Sequence, residues 1–423
     1  MADIRSTYSE QLDFFGPQGP RRLAETFGTP LYVYNESVLR SRCRELKGLS
    51  AHPGFGVNYS VKANANPALL RIIKDEGLVV DAMSPGELHL DLACGFGPEQ
   101  ILYISNNNSR EEMQGAVDRG VLLSVDSLAQ LDTYGAVNPG GSVMVRLNPG
   151  IGAGHDSKVV TAGSETKFGI SPEAIDDVLA LLQRHGLTLA GVNQHIGSLF
   201  MESESYVEAV QVLLDIVRGL PPDRFATLRV IDFGGGFGIP YKKYEGEARL
   251  DMADLGRKLH ERITAWSAAT GYGGRFLVEP GRYVVAECGI LLGRVQAVKS
   301  NGSTRYVGTD IGFNVLARPV LYDSFHDIEI YAGSSAPRET IPQTVVGNIC
   351  ESGDILARDR LLPAIVQGDV LGVLDAGAYG FSMASNYNQR LLPAEVLVGL
   401  DGAPRIVRRR QTIQDMLACC ETV

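Results

Sequence analysis

The sequence has no apolar run long enough to cross a membrane. The opening Met1-Ala2-Asp3-Ile4-Arg5 runs on through polar residues without the apolar core of a secretion signal, so a cytoplasmic protein is expected. Cysteine is sparse. The six, at 43, 94, 288, 350, 419 and 420, form no CxxC pair and no regular framework, which excludes a disulfide scaffold and a structural zinc site and points to reduced thiols. His260-Glu261 lacks the second histidine of a metalloprotease helix, so no metal is expected. Basic charge is in deficit, with 39 Lys and Arg against 49 Asp and Glu, and the only like-charged run is Arg408-Arg409-Arg410. That balance argues against a nucleic-acid partner. Repeats and low-complexity tracts are also missing, since the 48 Gly and 20 Pro are scattered among apolar runs.

What is present is apolar surface for a core, 44% of 423 residues, in a chain too long for one ordinary domain. Between residues 56 and 279, short β-branched runs alternate with helical stretches, the pattern of a parallel sheet with crossover helices. The eight runs are 57–61, 78–82, 101–104, 122–125, 143–147, 189–194, 228–233 and 276–279. Helical periodicity occupies 67–76, 85–94, 172–185 and 206–220, several of these opened by Pro, whose missing N–H costs nothing there. The expected fold class is α/β plus all-β. A (β/α)8 TIM-like barrel spans 36–282, and 1–35 with 283–423 make a second, antiparallel β-barrel or sandwich domain. The β-rich runs 283–298, 328–331, 370–374 and 396–400 support the latter, and Leu31-Tyr32-Val33-Tyr34 can add a strand to it.

Barrel enzymes build their sites at the C-terminal ends of strands, and those ends are chemically rich here. Lys62 follows the first run, Asp81 lies in the second, Asn106 and Asp126 follow the third and fourth, and Arg146 with Asn148 close the fifth. His195 with Ser198 ends the sixth, Gly234-Gly235-Gly236 the seventh and Glu279 the eighth. Three of these bear directly on chemistry. The glycine triplet is either a tight turn or a cradle whose N–H groups close around a phosphate. It is no dinucleotide fingerprint, because Ile239 stands where a third glycine is needed; Gly150-Ile151-Gly152-Ala153-Gly154 fails likewise at His155. Lys62, flanked by Val61 and Ala63, is either a surface charge or an amine whose burial lowers its pKa and makes it a nucleophile. Glu279, in Glu279-Pro280-Gly281-Arg282, is either part of a structural ion pair or a carboxylate that holds a proton on a heterocyclic nitrogen while Arg282 grips an anion. Together they form the parts list of a pyridoxal 5'-phosphate site: Schiff-base amine, phosphate anchor and ring-nitrogen partner.

The motifs Tyr59-Ser60-Val61-Lys62-Ala63-Asn64, Ser84-Pro85-Gly86-Glu87, Lys167-Phe168-Gly169, His195-Ile196-Gly197-Ser198, the glycine triplet, Glu279 to Arg282, Cys350-Glu351-Ser352-Gly353-Asp354 and Asp375-Ala376-Gly377-Ala378-Tyr379-Gly380 go further. In that order the chain resembles the alanine-racemase-like, fold-type III family of pyridoxal phosphate enzymes and, within it, the branch that decarboxylates diaminopimelate. The resemblance implies that Lys62 carries the cofactor as a Schiff base and that His195 stacks on its ring. Asp81, Ser198, Gly234, Gly235, Gly236, Gly281, Arg282 and Tyr379 join the cofactor's binding set, and Glu279 keeps its ring nitrogen protonated. It also implies a homodimer with shared sites, Cys350 and Glu351 coming from the neighbouring chain. Cys350 is a candidate for the proton donor that quenches the carbanion, because a thiol is more acidic than a lysine ammonium. Its plain alternative is a buried small hydrophobe, the reading given to the other five cysteines. Arg318 and Tyr322 would bind the substrate's far carboxylate, with Arg282 and Tyr379 also lining the substrate site, and Glu351 the far ammonium. The segment Gly312-Phe313-Asn314-Val315-Leu316-Ala317 departs from the family's usual Asn-Asp-Leu-Ile run. Two other readings stand beside this one: a decarboxylase of another amino acid, of ornithine or lysine type or carrier-tethered, and a non-catalytic pyridoxal-phosphate-binding regulator.

Overall fold

The computed structural model describes residues 7–150, 153–154, 167–334 and 336–421. The opening residues 1–5 and the near-fingerprint positions Ile151, Gly152 and His155 lie outside the described residues. The chain divides into two compact units: Ser41–Ile239 with Ala248–Val284, and Met1–Arg40 with Pro240–Glu247 and Val285–Val423.

The first unit is a closed barrel of eight strands, Phe55–Tyr59, Val79–Ala82, Ile101–Ile104, Leu122–Val125, Ser142–Arg146, Thr188–Asn193, Val230–Asp232 and Arg275–Val278. All eight neighbouring pairs are parallel, and Phe276 opposite Phe55 closes the ring. The crossover helices start on side-chain caps: Asn66 accepts from Ala68 N–H ahead of Pro67, Ser84 from Glu87 N–H and Ser127 from Gln130 N–H. Residues two apart on a strand share a face, and this spacing grades the barrel interior. Leu102, Ile104, Met144, Val230 and Leu277 form a buried apolar cluster on these strands. Two positions on from Met144, Val230 and Leu277 stand Arg146, Asp232 and Glu279, so the same faces turn polar toward the C-terminal ends.

The second unit is a nine-stranded sheet. Two of its pairings depart from the expected antiparallel pattern: Leu31–Asn35 runs parallel to Ala394–Val398, and Thr304–Thr309 parallel to Thr340–Val346. Alternation shows which face a residue takes and carries no information on strand direction. The 283–298 run also divides, with a helical turn at Arg282–Val285 and the strand at Gly289–Asn301. A short apolar run fits a buried helical turn as well as a strand.

One buried acid of the barrel unit yields a stability prediction. Asp91, on the helix Pro85–Ala93, is fully buried, and neither carboxyl oxygen is hydrogen-bonded among the described residues. Burial first, then the charges of Asp81 and Glu87, push its pKa up to about 8. The folded state therefore keeps a proton that the unfolded chain releases near pH 4, and stability drains away as pH rises from about 4 to about 8. Asp91→Asn should melt above the parent at pH 8 and match it near pH 4. Thermal melts across this range check it, and a gap that does not widen with pH would refute it.

Candidate active site

The strand Phe55–Tyr59 ends in a 3-10 turn, Val61–Ala63, that carries Lys62. Asp81 pins this turn, accepting from Ser60 Oγ at 2.8 Å and Val61 N–H at 2.9 Å, while Tyr59 donates its hydroxyl to Asn64 O at 2.9 Å. Both Asp81 oxygens are thus engaged, so it acts by placing Lys62. Gly281 packs against the same turn: a Cβ there would stand 3.1 Å from Ala63 Cβ and 3.2 Å from Ser60 Cβ. Of the two readings of Lys62 the structure shows the exposed one: Val61 and Ala63 are buried and Lys62 is exposed. In so tight a turn the middle residue points away from the side its neighbours pack on.

The glycine triplet also differs from expectation. Gly234 N–H donates to Asp232 Oδ1 at 2.9 Å and Gly235 N–H to His195 Nδ1 at 3.1 Å, so two of the three groups read as an anion cradle serve protein side chains. Its glycines are required by crowding: a Cβ on Gly234 would lie 2.2 Å from Gln194 O, on Gly235 1.9 Å from Glu279 O, and on Gly236 2.5 Å from Gly197 O. Gly234 and Gly236 also hold φ of +75° and +106°.

His195 accepts a backbone N–H at Nδ1, so its proton sits on Nε2 and the ring is neutral. Burial, then the charges of Lys62 and Arg146, hold its pKa well below the ordinary histidine value. Glu279 Oε2 lies 3.9 Å from His195 Nδ1. Glu279 and Asp232 are a buried carboxyl pair. Burial raises both, Glu279 the further because Asp232 and Asp81 add to it against Lys62 and Arg146, and Asp232 less because Gly234 N–H and Glu279 donate to it. Glu279 Oε1 is buried and has no hydrogen-bond partner among the described residues. Asp232 went unremarked in the sequence; its signal was one acid inside the apolar run Val230-Ile231-Asp232-Phe233. Ser198 Oγ accepts from Arg282 Nη2 at 2.9 Å, and Arg282 is buried.

The remaining expected residues belong to the other unit. Tyr379, half-buried, adopts φ of +55° in the loop after the strand Val370–Val373. Arg318 and Tyr322 bound the helical turn Arg318–Tyr322; Arg318 is buried and Tyr322 half-buried. Cys350 is exposed, so the buried-hydrophobe alternative fails for it, and it fails equally for the exposed Cys419 and Cys420. Asn388 holds Cys350 twice, accepting its N–H at 3.1 Å and donating Nδ2 to Sγ at 3.2 Å. Glu351 accepts from the Tyr387 hydroxyl at 2.5 Å, and Tyr387 stacks on Phe313 of the divergent segment at 5.5 Å. Asp354 fastens both parts, taking Phe313 N–H and Ile349 N–H at 2.8 Å each.

An accessible amine, a neutral histidine ring and a buried carboxyl oxygen that lacks a donor fit pyridoxal phosphate: the first as its anchor, the last as the acceptor for a protonated ring nitrogen. Fold and site together define a barrel enzyme of the pyridoxal phosphate class. Residues 37–286 match the family model of the pyridoxal-dependent decarboxylase, pyridoxal binding domain. The chain is 40% identical over 399 residues to a diaminopimelate decarboxylase of Methanothermobacter thermautotrophicus, covering 93% of this chain and 92% of that protein. It is 35% identical to the one from Escherichia coli K12, covering 94% and 95%. The solved structure of diaminopimelate decarboxylase from Helicobacter pylori complexed with L-lysine superposes with a TM-score of 0.85 at 29% identity, covering 94% and 98%. The chain belongs to the family of pyridoxal-dependent decarboxylases.

Proposed function

We infer that this protein is a carboxy-lyase that removes the carboxylate at the D-configured end of meso-2,6-diaminopimelate, giving L-lysine and CO2, the closing step of lysine biosynthesis. The observation that carries this is likeness to diaminopimelate decarboxylases over more than nine-tenths of both chains, up to 40% identity. The cofactor is pyridoxal phosphate, which when bound disperses the negative charge left at Cα as CO2 departs.

The chain's own residues have distinct tasks in this reading. Lys62 anchors the cofactor covalently, on a turn that Asp81 fixes. Glu279, one oxygen of which lacks a donor, holds the proton on the ring nitrogen. The neutral ring of His195 would flank the cofactor ring, where an imidazolium would oppose that proton. Ser198, Gly236 and Tyr379 take the phosphate, Ser198 backed by Arg282. Arg318 and Tyr322 take the distal carboxylate, and Glu351 the distal ammonium. Cys350 returns the proton to Cα. Exposure of Cys350 and of the Glu351 loop supports their working in a neighbouring subunit of a homodimer. Among the described residues no helix is long and apolar enough to cross a membrane, and the cytoplasm is the proposed location.

Arg318 tests the substrate assignment. A planar guanidinium offers a carboxylate two parallel hydrogen bonds that an ammonium cannot reproduce, so Arg318→Lys should weaken kcat/KM for meso-diaminopimelate and Arg318→Ala should do worse. The expected loss is about ten-fold to more than a hundred-fold. Residual decarboxylation of lysine, which as a substrate has no distal carboxylate, should be largely spared. Equal losses on both substrates would mean that Arg318 holds the fold or the cofactor.

A further inference from the structure

We propose that His326 and Tyr241 are positioning residues that aim the Arg318 guanidinium at the distal carboxylate and so set the choice of substrate; the proposal rests on the reading of Arg318 given above. His326 is 1% and Arg318 2% exposed, far drier than cationic recognition on a surface requires. His326 Nδ1 lies 2.7 Å from Leu374 O, an atom that can only accept, so the ring's proton is on Nδ1. Nε2 therefore carries a lone pair, and Arg318 Nη1 donates to it at 2.7 Å. Beneath the guanidinium, the Tyr241 ring lies 4.7 Å from Arg318 Cζ, and the same ring meets His326 edge-on at 5.2 Å. The His326 contact, together with a bond from Arg318 Nη2 to Ser324 Oγ at 3.3 Å, fixes the fork's rotation within its plane, and the Tyr241 ring fixes the plane. A fork so held meets a carboxylate without first losing side-chain freedom.

The two aiming residues are themselves anchored. Leu374 N–H donates to Asp327 O at 2.9 Å, which holds the carbonyl that orients His326. Tyr241 lies in Pro240–Glu247, the segment that follows the glycine triplet and belongs to the β-rich unit. Two residues on, the half-buried Lys243 is bonded to Asp375 Oδ2 at 2.6 Å, fastening that segment to the loop that also carries Tyr379. Neither His326 nor Tyr241 stood out in the sequence, because a lone histidine and a tyrosine after Pro240 have no spacing that points to Arg318.

The test compares two ligands that differ by one carboxylate. L-lysine, bound as product, keeps its carboxylate at the distal end, whereas 1,5-diaminopentane has none. Dissociation constants are read from the cofactor absorbance of the holoenzyme, for the parent, His326→Phe, His326→Gln, Tyr241→Leu and Arg318→Lys, with thermal melts and cofactor content measured on each. His326→Phe and Tyr241→Leu should weaken L-lysine about ten-fold while 1,5-diaminopentane stays within about two-fold. His326→Gln, whose Oε1 can still accept from the guanidinium, should recover part of that loss. Equal weakening of both ligands, or of neither, overturns the proposal. If His326→Phe loses the cofactor, His326→Gln and Tyr241→Leu decide it by the same lysine-selective loss. Arg318→Lys separates the two levels: equal effects on both ligands there sink the reading of Arg318 itself. A lysine-selective effect at Arg318 with none at His326 and Tyr241 sinks only the positioning role.

Discussion

Lys62→Ala should lower decarboxylation by roughly a thousand-fold or more, because it removes the covalent anchor and its amine together. The parent protein should be yellow, and borohydride reduction followed by peptide mapping should place the cofactor on Lys62. The geometry supports this residue over other lysines. Lys62 is exposed on a turn whose flanks, Val61 and Ala63, are buried and whose backbone Asp81 holds at 2.9 Å, so the amine has access while its base is rigid. Its charge acts on Asp81, His195 and Glu279 alike. Labelling at any other lysine would refute the assignment.

Cys350→Ala should lose about a hundred- to ten-thousand-fold in kcat and keep the parent's cofactor spectrum, since the thiol serves proton return and not binding. Asn388 holds the thiol's loop at two points, so removing Sγ leaves the backbone bond from Cys350 N–H in place. Mixing Cys350→Ala with Lys62→Ala chains should restore part of the activity, because some heterodimers then carry one site with both groups intact. Verified subunit exchange with no recovery would count against a site shared between chains.

Much of the barrel could be read from periodicity. Strands such as Ile101–Ile104 and Leu122–Val125 fall on the apolar runs, since a strand buried on both faces is a short apolar block bounded by turn residues. The polar residues at the strand ends were legible for the same reason: Lys62, His195 and Glu279 interrupt runs that otherwise bury. Three-dimensional commitments were not legible. Nothing local distinguishes a glycine N–H that faces an anion from one that donates to His195, as Gly235 does across 40 positions of chain. Nor does the sequence decide between an exposed and a buried Lys62: its neighbours Val61 and Ala63 are buried, and the 3-10 turn sets Lys62 outward. Strand direction in the β-rich unit was equally hidden, because Leu31–Asn35 pairs with Ala394–Val398 from the far end of the sequence. The exposure of Cys419 and Cys420 shows the limit of reading cysteine by type alone.

The most direct test of the account is CO2 release from meso-diaminopimelate, L-lysine, L-ornithine and L-arginine, measured side by side with the purified protein and added pyridoxal phosphate. The account predicts a kcat/KM for meso-diaminopimelate at least about a hundred-fold above each of the others, since only that substrate offers a carboxylate to Arg318 and an ammonium to Glu351 together. Equal or faster turnover of lysine, ornithine or arginine would contradict it.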